Sequence, residues 1–274
     1  MKKIALILAF VISLCPVVVA QTDVSLDDEF GGRFSFVVEK KLMKGLRLAI
    51  EEEVRLTDNF SSLGRLQTTV SISYKVHPNI KLGVGYALIN PYDADSGDFK
   101  NCRHRFMFDA SGVWRVGDWS LSLKERLQAT VRTGSFNEYQ APRTSWMLKS
   151  RVKAQYKGWR KYEPYVAFEL RNTLNAPTID AYYDGTRYLT ESGSRTGEAG
   201  WFLDGFNNRY VNRLRGIIGT EFRLGANSTV DVCLMGDYVI DEVVDANAEG
   251  TKLKSYTRET GYLGWIVAGY KFSF

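Results

Sequence analysis

Two histidines, His77 and His104, and three cysteines, Cys15, Cys102 and Cys233, are all the imidazole and thiol this 274-residue sequence contains. Acid–base or nucleophilic catalysis needs a base within reach of a nucleophile and a third group to orient it. His77 sits in Val76-His77-Pro78-Asn79-Ile80, where Pro and Asn already account for a turn. His104 opens a polar–apolar alternation in Cys102-Arg103-His104-Arg105-Phe106. A strand-borne His near a membrane rim would suit a lipid hydrolase, but no HxSxG-like stretch accompanies it. Cys102 beside His104 supplies two metal donors, which do not make a site. We therefore expect no catalytic residue, no metal and no cofactor. Cys102 and Cys233 are far apart in sequence and too few for a disulfide framework, so both are expected to be unpaired.

The charged residues carry more information, because they alternate with apolar ones. In Leu46–Leu56, Glu51, Glu53 and Arg55 oppose Leu48, Ile50 and Val54. Arg105 and Asp109 oppose Phe106 and Phe108. Lys124 and Arg126 oppose Leu123 and Leu127, and Lys149, Arg151 and Lys153 oppose Leu148, Val152 and Ala154. Glu169 and Arg171 oppose Phe168 and Leu170. Arg213, Arg215, Glu221 and Arg223 oppose Leu214, Ile218, Phe222 and Leu224. A period of two is a strand with one apolar and one polar face. All of these charged residues fall on one face, and bases outnumber acids on it. Glu52 and Glu125 fall on the apolar face, where a carboxylate is costly in lipid. They are expected near a rim, or re-aimed by a β-bulge.

These positions require long strands. Segments such as Arg33–Leu42, Arg65–Val76, Lys81–Asn90, Trp119–Arg132, Thr229–Ile240 and Gly261–Phe274 each hold ten or more alternating residues. The modal soluble strand is about 5–6 residues. The connections alternate between short and long. The short set is Met43-Lys44-Gly45, His77-Pro78-Asn79, Gly117-Asp118, Gly158-Trp159 and Ala226-Asn227. The long set is 57–64, 91–101, 133–143, 175–208 and 241–255. Aromatics gather beside the short turns: Tyr74, Trp119, Tyr156, Trp159, Tyr162, Tyr270, Phe272 and Phe274. Long strands, short turns at one rim, long loops at the other and an aromatic girdle describe a transmembrane β-barrel.

The N-terminus agrees. Lys2 and Lys3 precede an apolar run from Ile4 to Val19 that closes on Val18-Val19-Ala20. This is the pattern of a secretory signal peptide over residues 1–20, cleaved after Ala20. Residues 21–274 then form a single barrel domain. Without the leader the balance is 34 Lys+Arg against 31 Asp+Glu, too even to argue for nucleic acid. No apolar stretch after the leader reaches the roughly 20 residues of a membrane helix. The expected fold is an all-β, antiparallel, up-and-down transmembrane barrel of about 12 strands, within 10–12. An even count in antiparallel order requires an ascending first strand, and Asp23–Phe30 is the candidate, although Asp27, Asp28 and Glu29 break its alternation.

Val38–Leu42 with Leu46–Arg55, Leu66–Ile89 with its Tyr-Lys-Val-His-Pro turn, Arg103–Ser111, Trp119–Arg132, Leu148–Leu174 and the terminal Gly269-Tyr270-Lys271-Phe272-Ser273-Phe274 together resemble a family of outer-membrane barrels, the domain of unknown function 2490 common in the Bacteroidetes. The likeness spans nearly all of Asp23–Phe274. It implies the barrel and an outer-membrane location in a Gram-negative bacterium, and it implies no activity. In outer-membrane barrels generally a terminal Phe is read by the barrel-assembly machinery, which makes Phe274 the expected assembly signal.

Function is expected to be non-enzymatic: a narrow solute channel or a structural surface protein. The lumen would hold an ion-pair network of Glu51, Glu53, Arg55, Arg105, Asp109, Lys124, Arg126, Lys149, Arg151, Lys153, Glu169, Arg171, Arg213, Arg215, Glu221 and Arg223. Pairs are expected across it between Glu51, Glu53 or Glu221 and Arg105, Arg126, Arg151 or Arg215. The expected partners are outer-membrane lipid, the assembly machinery, and a small anion or a glycan as ligand. The loop 175–208, with Tyr182, Tyr183, Tyr188, Trp201, Phe202 and Phe206, would bind that ligand or cap the mouth. Two competing readings are an outer-membrane enzyme acting on lipid or lipopolysaccharide, and a soluble periplasmic β-sandwich.

Overall fold

The computed structural model describes residues 23–25, 29–182, 200–203, 205–246 and 253–274. Ala20 and the leader lie outside the described residues, as does the centre of the 175–208 loop. In chain order the strands are β1 (Asp23–Ser25), β2 (Glu29–Met43), β3 (Leu46–Thr57), β4 (Ser62–His77), β5 (Ile80–Asp93), β6 (Asp98–Phe99), β7 (Arg103–Val116), β8 (Trp119–Arg132), β9 (Thr144–Tyr156), β10 (Tyr162–Ala176), β11 (Ile179–Tyr182), β12 (Gly200–Leu203), β13 (Asn208–Arg223), β14 (Ser228–Ala246) and β15 (Leu253–Ser273).

Among the described residues, eleven of these strands form one closed ring: β2, β3, β4, β5, β7, β8, β9, β10, β13, β14 and β15, with β15 returning to β2. Ten contacts around the ring are antiparallel; the closing contact is parallel, from Leu263 opposite Glu29 to Ser273 opposite Glu39. A sheet closed on itself is not a sandwich, so the sandwich reading is overturned. The expected ascending first strand is not formed. β1 pairs with β15 in the same parallel sense as β2, Asp23 opposite Arg258. The register shifts by one residue between β1 and β2. Parity demands an even number only if the closing pair is antiparallel. Here β2 itself closes the ring, and an odd count follows.

The faces sort as the alternation requires. Val84, Val166, Ile218 and Leu234 each remain more than half exposed on the outer wall. Scattered exposed apolar residues are ordinary, but a continuous belt needs an apolar solvent or a partner. Aromatics band the short-turn rim, where Trp119, Tyr156 and Trp159 meet edge to face at 5.3 and 5.4 Å. Gly45 (φ 86°) and Gly117 (φ 58°) occupy the left-handed position that two of the tightest turns demand. Glu52 and Glu125 do face outward, but neither sits at a bulge: the nearest register shift on β3 is at Arg55/Leu56, and the β7–β8–β9 registers are unbroken. Each carboxylate is held instead by a hydroxyl of the next strand. Thr68 Oγ1 donates to Glu52 at 2.8 Å and Ser150 Oγ to Glu125 at 2.6 Å.

At the other rim several expected loops are partly wall. The 57–64 connection shrinks to the four residues between Thr57 and Ser62, which pair directly. Asp58, Asn59 and Phe60 take positive φ there, and the Asn59 amide donates to Phe30 O at 2.8 Å. β14 and β15 rise to 19 and 21 residues, the longest in the ring. β11 and β12 make a separate small hairpin between β10 and β13. The 133–143 connection reaches over to the high end of β14. Asn137 Nδ2 donates to Ala246 O at 2.8 Å, and Gln140 Nε2 donates to Asp245 Oδ1 at 2.9 Å. The chain between β8 and β9 therefore lies across part of the mouth.

Candidate functional site

Eleven strands about 4.8 Å apart, tilted by about 40°, enclose a backbone cylinder of roughly 11 Å radius. Arg and Lys reaching in from opposite walls come together near the axis of such a cylinder. The lumen is therefore decided by which inward charges pair.

The tightest cluster centres on Asp237 of β14, only 2 % exposed. Arg215 of β13 grips it with two bonds, Nε to Oδ1 at 2.5 Å and Nη2 to Oδ2 at 2.8 Å. Arg213 Nη1 adds a third at 3.0 Å. Arg33 of β2 approaches to 3.8 Å from beyond β15, its guanidinium 4.2 Å above the Trp265 ring. Arg215 also reaches Glu169 of β10 at 3.2 Å. One buried carboxylate thus ties strands on both sides of the closing contact. Charge-assisted bonds of this kind are strong, and they are needed to offset desolvation.

Two further groups line the wall. On β7 and β8, Arg126 holds Asp109 through two bonds, 2.6 and 2.8 Å, while Lys124 sits 3.0 Å away. Arg105 Nε donates to Thr130 Oγ1 at 3.0 Å. On β3 and β4, Glu53 accepts from Arg55 at 2.7 Å and from Arg65 at 3.4 Å. Toward the short-turn rim lies another paired group. Glu163, 2 % exposed, takes bonds from Gln155 at 3.0 Å and Lys157 at 2.8 Å and pairs with Arg223. Lys153 bonds Glu221 at 2.5 Å and lies 3.8 Å above the Tyr165 ring. Tyr165 OH donates to Asp231 at 2.9 Å.

The inward assignments from Glu51 to Arg223 all fall on the inner parity of their strands. The expected partner choice does not hold. Glu53 pairs with Arg55 and Arg65, Glu221 with Lys153, Arg126 with Asp109, and Arg215 with Asp237 and Glu169. Most partners stand on the same strand or the next one, because a side chain reaches its neighbour at lower entropic cost than the far wall. Arg33, Arg65, Glu163, Asp231 and Asp237 belong to the lumen and were not among the expected residues. Their parity was readable, since each alternates with an outward apolar residue.

One row differs from these. Register partners Arg126, Lys149, Arg171 and Arg213 stand side by side on β8, β9, β10 and β13. The outer two have carboxylates, Asp109 and Asp237. Among the described residues, no carboxylate lies within ion-pair distance of Lys149 or Arg171. Arg171 Nε is buried and has no hydrogen-bond acceptor.

His104 stands outside the lumen near the long-loop rim. Its Nδ1 is 2.7 Å from Tyr86 OH, and its Nε2 is 3.9 Å from Cys102 Sγ. Cys102 Sγ contacts Thr133 Oγ1 at 3.6 Å. Cys102 and Cys233 are both free thiols. Phe274 is fixed through its backbone: its amide donates to Glu39 O at 3.0 Å, and its carbonyl accepts from the Lys41 amide at 2.8 Å.

Residues 34–245 match the family model described as a protein of unknown function, DUF2490. The chain belongs to this family. No curated protein matches it. Among solved structures it is similar to the outer-membrane expressed OmpT of Vibrio cholerae, with 9 % identity and a TM-score of 0.34 over 83 % of this chain. The chain covers 64 % of that structure's length. The DUF2490 protein described here is a closed, mostly antiparallel β-barrel, and its closure rests on its own strand pairing.

Proposed function

We propose that this DUF2490 barrel sits in the outer membrane of a Gram-negative bacterium and acts without catalysis, as a narrow passage for small anions through an ion-paired lumen. The observation that carries the reading is the unevenly neutralised inner wall: Asp237, Asp109 and Glu53 each hold more than one cation, while Lys149 and Arg171 hold no carboxylate. A low-dielectric wall focuses that residual positive field along any open path. The outer belt of Val84, Val166, Ile218 and Leu234 supports lipid as the surrounding solvent. Only closed sheets and helices satisfy every backbone amide there. The two-sided pinning of Phe274 supports a role for the last strand in recognition by the barrel-assembly machinery.

Planar-bilayer recording of the purified protein tests the passage. Low conductance with a weak preference for chloride over potassium is expected. A wide, cation-selective pore would overturn it.

A second reading, an enzyme acting on lipid or lipopolysaccharide, draws on one observation: His104 faces outward and is paired with Tyr86 near a rim. Incubation with phospholipid and lipid A in detergent tests it. Turnover that is abolished in His104→Ala would establish catalysis and displace the passage as the main function.

A further inference from the structure

We infer that Lys149 and Arg171, flanked by Arg126 and Arg213, form a binding site in the lumen for a multiply charged oxyanion of the phosphate class. The inference deepens the reading of the lumen as a space that solutes enter, and it rests on that reading.

The four cations are consecutive register partners on β8, β9, β10 and β13. Directly opposed residues on neighbouring strands have Cβ atoms about 5 Å apart, and like charges so placed destabilise a sheet. Three close pairs of cations elsewhere in this lumen do share an acid. Arg213 and Arg215 share Asp237, Arg55 and Arg65 share Glu53, and Lys124 and Arg126 share Asp109. The Lys149–Arg171 step, between two cationic neighbours, has no such acid among the described residues.

Its surroundings add to the imbalance. Arg105 and Arg215 both bear on Lys149 electrostatically, with Glu169 the only opposing carboxylate among its main influences. That carboxylate is itself bonded to Arg215. Around Arg171 the field comes from Arg213, Arg215 and Arg105 against Asp241. Screening by water is weak in so narrow a space. The Arg171 guanidinium keeps a buried Nε–H with no acceptor, a donor that the protein leaves unmatched.

A counter-anion is the simplest group that would satisfy all four observations. Chloride could neutralise charge, but a single sphere offers no separate acceptor atoms spaced to match a guanidinium fork and an ammonium on the next strand. A tetrahedral oxyanion does, and Arg presents planar paired donors to it and Lys a point charge. Neither Lys149 nor Arg171 has to break an existing ion pair to bind it.

Isothermal titration of the refolded barrel in neutral detergent micelles, with inorganic phosphate as the probe and chloride at matched ionic strength as the reference, tests the site. Saturable binding of phosphate is expected in the unmodified protein. At least a tenfold loss of affinity is expected in the Lys149→Gln/Arg171→Gln double variant, while Arg47→Gln at the short-turn rim keeps it. Equal affinity in the double variant, or no phosphate binding by the unmodified protein, would overturn the inference. If the double variant does not refold, urea unfolding of the unmodified protein decides. Phosphate should raise the midpoint where chloride does not, and equal midpoints would overturn the site. Anionic phospholipid vesicles should not compete with phosphate. Competition would move the site to the outer wall and refute a lumen position. Binding in micelles does not depend on conduction. A barrel that binds phosphate yet passes no current would defeat the passage and leave this site standing; anion current without phosphate binding would do the reverse.

Discussion

Replacing Asp237 by Asn should be the most destabilising single change in the lumen. The carboxylate accepts two bonds from Arg215 and one from Arg213, with Arg33 close behind. Asn has nearly the same shape, but it is neutral and offers one acceptor where Asp offers two. At least one charge-assisted bond is lost, worth about 1.5–3 kcal/mol. Three guanidinium groups are then left facing each other around a neutral partner. Removing one member of a buried ion pair costs about 3–5 kcal/mol in other proteins, and that range is expected here. Urea unfolding in micelles, followed by tryptophan fluorescence, measures it; Trp265 lies under Arg33 and reports on the cluster. A second variant isolates the cause. Arg215→Gln alone should also destabilise, but Asp237→Asn with Arg215→Gln should cost less than the two single losses added together, because the partners vanish together. A strictly additive cycle, or an Asp237→Asn midpoint equal to that of the unmodified protein, would refute the hub.

Replacing Arg126 and Arg151 together by Ser should raise single-channel conductance and reduce anion preference, since Arg126 otherwise spans from β8 to Asp109 on β7; planar-bilayer recording with a salt gradient checks both. Asn137→Ala with Gln140→Ala should release the 133–143 connection from β14, raising conductance with little change in unfolding midpoint. Deleting Phe274 should lower the heat-modifiable folded band on unboiled gels far more than deleting Asp95 from the exposed tip between β5 and β6, because only Phe274 is bonded to β2 through its backbone. Equal bands would remove its special role.

The alternation made the wall legible. An outward-facing residue such as Val152 or Ile218 and its lumen-side neighbour such as Arg151 or Arg215 differ so strongly in type that parity alone places them. Partner choice was not legible. Arg33 and Asp237 lie near opposite ends of the sequence, and only the parallel contact of β2 with β15 brings them into one cluster. On β14 the inner face also carries Cys233, Met235 and Val239, so parity placed Asp237 inward without marking it as a hub. The outward glutamates mislead for a related reason: a hydroxyl one strand away, Thr68 or Ser150, satisfies each without a bulge, and the rule that lipid repels carboxylates does not foresee it. The Arg126-Lys149-Arg171-Arg213 row needed the register of three strand pairs, which no single segment encodes.

The parallel closing contact also sets the order in which this barrel can assemble. Ten of its strand pairs join ring strands that follow one another in the chain, two of them across an intervening short strand or hairpin, so they are local contacts with a small loop-closure cost. The eleventh joins β2 to β15 across nearly the whole sequence. Until it forms, the sheet is an open ribbon with two bare edges, each a long row of unpaired amides ready to add a foreign strand. Arg33 stacked on Trp265, Lys271 bonded to Glu39, and Phe36 stacked on Tyr270 all span that one join. They act as a latch, engaged only when the ribbon curls onto itself and not when it meets a second copy out of register. A barrel weakened at these three contacts would fail first by trapping open, oligomer-prone ribbons, well before its hairpins lost their own stability.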